Sequence, residues 1–192
     1  MKLRKYLPLV LVLLLCLVPQ TIFGANHVAR MGQKGQKVEE VQAMLQQMKL
    51  YSGQVDGEFG SQTLLAVKKF QKKNGQIQDG VVSNRLYRLL SAKSGLDFAK
   101  YRKSWVMESS GYSSQDPGCN GRTATGMPLK RGIVAVDPYL IPLGTQVYVM
   151  GYGKAIAQDV GGAIKGNKID LAFNSRGEAL RWGRRRARVY IL

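Results

Sequence analysis

The chain has 192 residues, room for one medium domain or two small ones, and 29 Lys and Arg against 12 Asp and Glu give a formal net charge of +17. So basic a protein seeks polyanions. With one histidine, His27, it lacks the usual ligands of a zinc amidase or peptidase, and nothing in the later sequence can activate Cys119 as a Cys–His nucleophile.

Lys2, Arg4 and Lys5 precede an apolar run from Leu7 to Val18, broken only by Pro8, and Gln20 to Ala25 is polar and small. This is a signal-peptide pattern over residues 1–25, and the run is short for a spanning helix. Cleavage near Ala25 leaves no stable membrane span and removes Cys16. Cys119 then has no intrachain partner, so the fold cannot depend on a disulfide. Without the three leading cations, 26 basic against 12 acidic residues leave +14. Outside the cell the partners expected of this charge are anionic wall polymers and wall-peptide carboxylates, not nucleic acid. The densest basic run is Arg181, Arg184, Arg185, Arg186 and Arg188.

Val38, Val41, Leu45 and Met48 recur at helical spacing. A glycine-rich turn follows, from Tyr51 to Gly60. Ser61 is expected to cap a second helix with Leu64, Val67 and Phe70 on one side. Asn74-Gly75 ends it. After the Asp79-Gly80 turn, Ser83 is expected to cap a third helix with Leu86, Leu89 and Leu90. These elements predict a small three-helix bundle over residues 32–92. The ordered set of Gly32 and Gly35, Val41-Gln42, Leu45, Val55-Asp56-Gly57, Phe59-Gly60, Thr63, Ala66-Val67, Phe70-Gln71 and Asp79-Gly80 resembles the peptidoglycan-binding domain type 1. That resemblance implies a module that holds peptidoglycan.

Residues 93–104 are polar and weakly periodic, the pattern of a linker. From Trp105 to Leu192 short β-rich runs alternate with Gly and Pro: Ile133–Val136, Thr145–Val149, Ala155–Val160, Lys168–Phe173 and Arg188–Leu192. They predict a mainly-β domain, most simply a small barrel. One helix interrupts it, with Ser175 and Glu178 at capping-box spacing and Gly183 as a stop.

With histidine and cysteine chemistry set aside and no Ser-x-x-Lys motif present, carboxylates are the natural acid and base. Six lie in this domain: Glu108, Asp116, Asp137, Asp159, Asp170 and Glu178. Alternation puts Ala135 with Asp137, Ala155 and Ala157 with Asp159, and Ala172 with Asp170, each on one strand face. Three strands pairing a small residue with a carboxylate can floor a sugar-binding groove. Gly161 and Gly162 allow close backbone approach to a ligand, and Lys165 can bind a substrate oxygen or tune a carboxylate.

Three stretches resemble the 3D, or three-aspartate, domain: Asp137 to Thr145, Gln158 to Gly166, and Ile169-Asp170-Leu171. The family is similar to membrane-bound lytic transglycosylase A and to mini lytic transglycosylases of Gram-positive spore-formers. The resemblance implies a six-stranded double-psi β-barrel. It implies Asp170 as catalytic acid/base with Asp159 and Asp137 in support, and Thr123 and Thr125 as lining the groove; Gly161, Gly162, Lys165 and Tyr148 are further expected substrate contacts. Glu108-Ser-Ser-Gly-Tyr112 departs from the family's usual Ala-Thr-Ala-Tyr. No metal or cofactor is expected. The expected activity is cleavage between N-acetylmuramic acid and N-acetylglucosamine in peptidoglycan glycan strands, leaving 1,6-anhydro ends. Hydrolysis by a muramidase and non-catalytic, expansin-like wall binding stay open.

Overall fold

A computed structural model describes residues 27–101 and 103–192. The leader expected at 1–25, Cys16 included, lies outside the described residues. Among those described, no helix is long and apolar enough to cross a membrane.

The first part holds β1 (His27–Ala29), α1 (Gln36–Gln47), α2 (Ser61–Lys73), β2 (Val82–Ser83) and α3 (Asn84–Ser94). The predicted helical stripes point inward: Val38, Val41, Leu45, Val67, Phe70, Leu86 and Leu90 are buried together. Ser83 caps α3 as expected, its hydroxyl accepting from the Leu86 N–H. Ser61 does not cap α2; it is the first helical residue, and Gly60 occupies the cap with no side-chain bond. The helices are not a bare bundle, because β1 and β2 pair antiparallel beside them.

Two buried glutamines explain the spacing of the motif. The Gln42 carbonyl oxygen accepts from the backbone N–H groups of Asp56 and Gly57, and its amide donates to Asp56 and Thr63. Gln71 repeats the device, accepting from the Gly80 N–H and donating to Asp79. Each glutamine, held on a helix, grips an Asp-Gly turn whose glycine has a positive φ, +74° at Gly57 and +75° at Gly80. Loop donors that would otherwise be buried without partners are thereby satisfied.

The second part is a closed barrel of six strands: β3 (Lys103–Ser113), β4 (Ile133–Val136), β5 (Gln146–Val149), β6 (Gly153–Asp159), β7 (Lys168–Phe173) and β8 (Arg185–Ile191). Their order around the barrel is β3-β7-β4-β6-β5-β8. The β3–β7 and β4–β6 pairings are parallel and the rest antiparallel. Inside lie Met107, Val134, Val136, Val147, Val149, Ile169, Leu171, Phe173 and Val189. Helix α4 (Arg176–Trp182) starts at Ser175, whose hydroxyl accepts from the Glu178 N–H, and stops at Gly183.

The stretch read as a linker contributes to packing. Residues 93–104 contain the end of α3, a short 3-10 turn at Phe98–Lys100 and the start of β3, with Leu96 and Phe98 buried. Phe98 and Tyr101 meet Tyr148 and Tyr190 of the barrel at ring separations of 4.9–6.5 Å. Beside them the Tyr190 hydroxyl donates to buried Glu40 at 2.8 Å, and Arg188 pairs with Glu39 at 2.7 Å. One apolar cluster therefore runs from the helices onto the barrel wall.

Candidate active site

β4 and β7 alternate as predicted: Val134, Val136, Ile169 and Leu171 face the interior, so Ala135 and Asp170 face outward. β6 departs from simple alternation. Ala155 and Ala157 point into the barrel, and they are not the neighbours of Asp159 that alternation suggests. A register shift pairs Val134 with Ala157 but Ala135 with Asp159. This one-residue bulge turns Asp159 to the outer face. Ala135 also pairs with Asp170, and Asp170 with Ser110. The outer face thus carries a row: Asp159, Ala135, Asp170, Ser110. At the usual strand spacing the two aspartate Cα atoms stand about 10 Å apart, with only an alanine methyl between.

Asp159 is buried and accepts three hydrogen bonds. One oxygen receives the Tyr112 hydroxyl at 2.7 Å, the other the N–H groups of Ala124 at 2.8 Å and Val160 at 2.9 Å. Tyr112 lies two residues beyond Ser110 on the same face of β3. Burial, followed by its bond to Asp159, pushes the Tyr112 hydroxyl well above the usual tyrosine range. It therefore stays protonated as a donor.

Asp170 is half-buried. Burial is the main cause that raises its carboxyl above the ordinary aspartate value. Bonds from the Ser110 hydroxyl and the Leu171 N–H oppose the rise, and the nearby charges of Asp116 and Asp159 add to it. Asp116, which the sequence left unassigned, is placed by the Ser113 N–H at 2.8 Å and sits 3.5 Å from the Arg176 guanidinium.

Asp137 follows β4 two residues beyond Ala135, and its carboxylate is engaged by loop backbone. Its oxygens accept from Gly166 N–H at 2.7 Å and Tyr139 N–H at 3.1 Å, clamping the β4–β5 loop to the β6–β7 loop. Those two bonds, with Lys165 a lesser influence, hold its carboxyl below the ordinary value. Lys165 thus bears on Asp137. Gly161 accepts from the Ile164 N–H at 3.0 Å to close the turn in which exposed Gly162 lies. Thr123 is buried and bonds Thr125 at 2.9 Å, and Thr125 bonds Gln158 at 2.7 Å. The two threonines strap their loop to β6, which brings the Ala124 N–H to Asp159. Tyr148 is not in this region. It is buried against Phe98 and Tyr101 where the helices meet the barrel, so the assignment of Tyr148 as a substrate contact is corrected to packing.

A cleft of about 370 Å³ adjoins Asp170 through Ser110 and is also lined by Glu108, Ile164, Lys168, Arg184 and Arg186. A larger groove of about 510 Å³ lies between the 3-10 turn and β5–β6. It contains none of the outer-face aspartates, so volume alone does not locate the chemistry. Among the described residues, no group of three or more His, Cys, Asp or Glu is placed to hold a metal ion.

A half-buried acid thus stands beside a buried, hydrogen-bonded carboxylate on the outer wall of a closed barrel. Comparison with known proteins finds a family model that matches each part. Residues 34–90 match the family described as "Putative peptidoglycan binding domain", and residues 132–192 match the 3D domain. Both resemblances drawn from the sequence hold, although the second match begins after Tyr112 and Thr123. The chain is 48% identical over 94 residues to the "Putative cell wall shaping protein YabE" of Bacillus subtilis (strain 168), covering 47% of this chain and 23% of that protein. It is 46% identical over 94 residues to "Cell wall-binding protein YocH" of the same organism, covering 47% and 33%. It thus spans a third or less of the length of these two relatives. Among solved structures, MltA from E. coli is 28% identical over 40% of this chain and 28% of its own, with a TM-score of 0.34.

Proposed function

We propose that the chain is a secreted, wall-associated lytic transglycosylase. In this reading residues 32–92 hold peptidoglycan and residues 105–192 cut its glycan strands. The observation that carries it is the row Asp159–Ala135–Asp170, in which a half-buried carboxyl of raised proton affinity faces outward beside a second carboxylate. The two parallel strand pairings support a double-psi barrel. The wall-binding and wall-shaping names of the relatives support peptidoglycan as substrate.

Asp170 begins protonated and gives its proton to the oxygen linking N-acetylmuramic acid to N-acetylglucosamine. The C–O bond breaks as the leaving sugar takes that proton. Asp170, now a carboxylate, removes the proton of the muramic C6 hydroxyl, and that oxygen closes on C1 to form the 1,6-anhydro ring. One group serving as acid and then base needs raised proton affinity, which burial supplies. Asp159, fixed by Tyr112 and Ala124, places negative charge near the cationic carbon that develops. Asp137 holds the two loops at the edge of the site.

The test is mass spectrometry of purified sacculi digested by the full chain. Anhydro ends, lost in Asp170→Asn, are the expected result. Reducing ends alone would mean hydrolysis, and wall clearing that survives Asp170→Asn would remove the catalytic assignment.

A further inference from the structure

The arginine run that stands out in the sequence divides into two groups in the fold. Arg188 is taken up by Glu39, and Arg185 bonds the Trp182 carbonyl while stacking on the Trp182 ring. Arg184 and Arg186 are exposed and, with Lys168, line the 370 Å³ cleft beside Ser110, which the engaged Arg185 also borders. Among the described residues none of these three cations lies within 4.0 Å of a carboxylate.

Strand register sets their distance from the acid. Glu108 pairs with Lys168 on one side and Arg186 on the other, one two-residue step along the same face from the Ser110–Asp170 pair. That step is about 7 Å. Glu108 offsets one positive charge, and the cleft keeps a cationic excess. Its volume falls within the range of small-ligand sites, and Ala163 and Ile164 give it an apolar side.

Resting on the transglycosylase reading, we propose that Lys168, Arg184 and Arg186 form a subsite for the carboxylates of the peptide stem on the muramic acid being cut. The stem hangs from the same sugar whose C1 bond breaks, and its first free carboxylate lies two residues out, about 7 Å of extended chain from that sugar and so of the order of the step from Asp170 to the cleft. A phosphodiester at the muramic C6 fits less well, because it would occupy the oxygen that must close the anhydro ring. Arginine suits the role, since its fork meets a carboxylate with two parallel bonds.

The experiment measures binding by the full chain carrying Asp170→Asn, so that glycan stays uncut. Soluble muramyl oligosaccharides with intact stems are compared with the same chains after amidase removal of the stems. The expected preference for stem-bearing chains is about tenfold. Adding Lys168→Ala, Arg184→Ala and Arg186→Ala brings that ratio close to one. Arg184→Lys with Arg186→Lys, which keeps the charge, retains much of the preference. A ratio unchanged in the triple alanine variant, or no preference in the parent, overturns the proposal. Equal loss of poly(glycerol phosphate) binding in the triple variant also overturns it, in favour of a general polyanion surface. Failure of the transglycosylase reading would show separately, as absence of anhydro ends with the active chain.

Discussion

The two halves of the molecule spend their polar side chains in opposite ways. In the helical part Gln42 and Gln71 are buried and turn inward, each satisfying the backbone of an Asp-Gly turn. On the barrel, Asp159 and Asp170 sit on the outer wall, and one of them is left with its proton affinity raised by burial. A motif aspartate therefore has two uses in this fold. Asp56 and Asp79 are consumed in holding turns, whereas Asp170 is held by its strand and burial raises its carboxyl. Asp137 behaves like the helical aspartates, with both oxygens engaged in a loop clamp.

The largest expected effect lies on the barrel. Asp170→Asn should lower glycan cleavage by about 10²–10⁴-fold while leaving the fold intact, as removal of a general acid does. It should also change stability in a defined direction. A carboxyl whose folded value is raised contributes stability that is fully present below its unfolded value and lost as pH rises through the folded one. Above that window the asparagine variant should therefore be more stable than the parent in urea unfolding. A variant destabilised at neutral pH would mean that Asp170 is a structural acceptor like Asp56.

Next in size is the helical counterpart. Gln42→Ala strands the buried N–H of Gly57 and the part-buried N–H of Asp56, empties a buried site and should cost about 2–4 kcal/mol, read by denaturant unfolding. Catalytic constants on soluble glycan should move little in the fraction that remains folded. A milder effect is expected of Tyr112→Phe, which removes one of three donors to Asp159; cleavage should fall about tenfold, with a smaller change in stability. The smallest is Arg188→Ala, which breaks the pair with Glu39 and should cost about 1 kcal/mol.

Much of this contrast was legible in the residues. Helical spacing found the inward faces of the three helices, and strict alternation on β4 and β7 put Ala135 and Asp170 outward. Alternation failed on β6, because a bulge after Ala157 adds one residue to the count and reverses the face at Asp159. β3 shows no alternation of its own, and only the family resemblance marked Glu108 to Tyr112 as a strand. Its eleven residues hold four serines, a glycine, one Lys and one Glu, and it is a strand because β7 and β8 both pair with it. The roles of Ser110 and Tyr112 were hidden, although the Gly-Tyr step after a serine pair was a signal. Tyr148 was misplaced because local pattern cannot see that the helical part covers that side of the barrel. Asp116 offers no periodic signal, as it lies in a loop and reaches Asp170 only through the fold.

The central claim is that Asp170 passes the proton. Its most direct test is a carboxyl-detected NMR titration of Asp170 in the full chain, set beside the pH dependence of the cleavage rate. Asp170 should titrate above an ordinary aspartate, and the rate should fall along the same curve as the group ionises. An ordinary or depressed value at Asp170, or a rate that persists after it has lost its proton, would contradict the account.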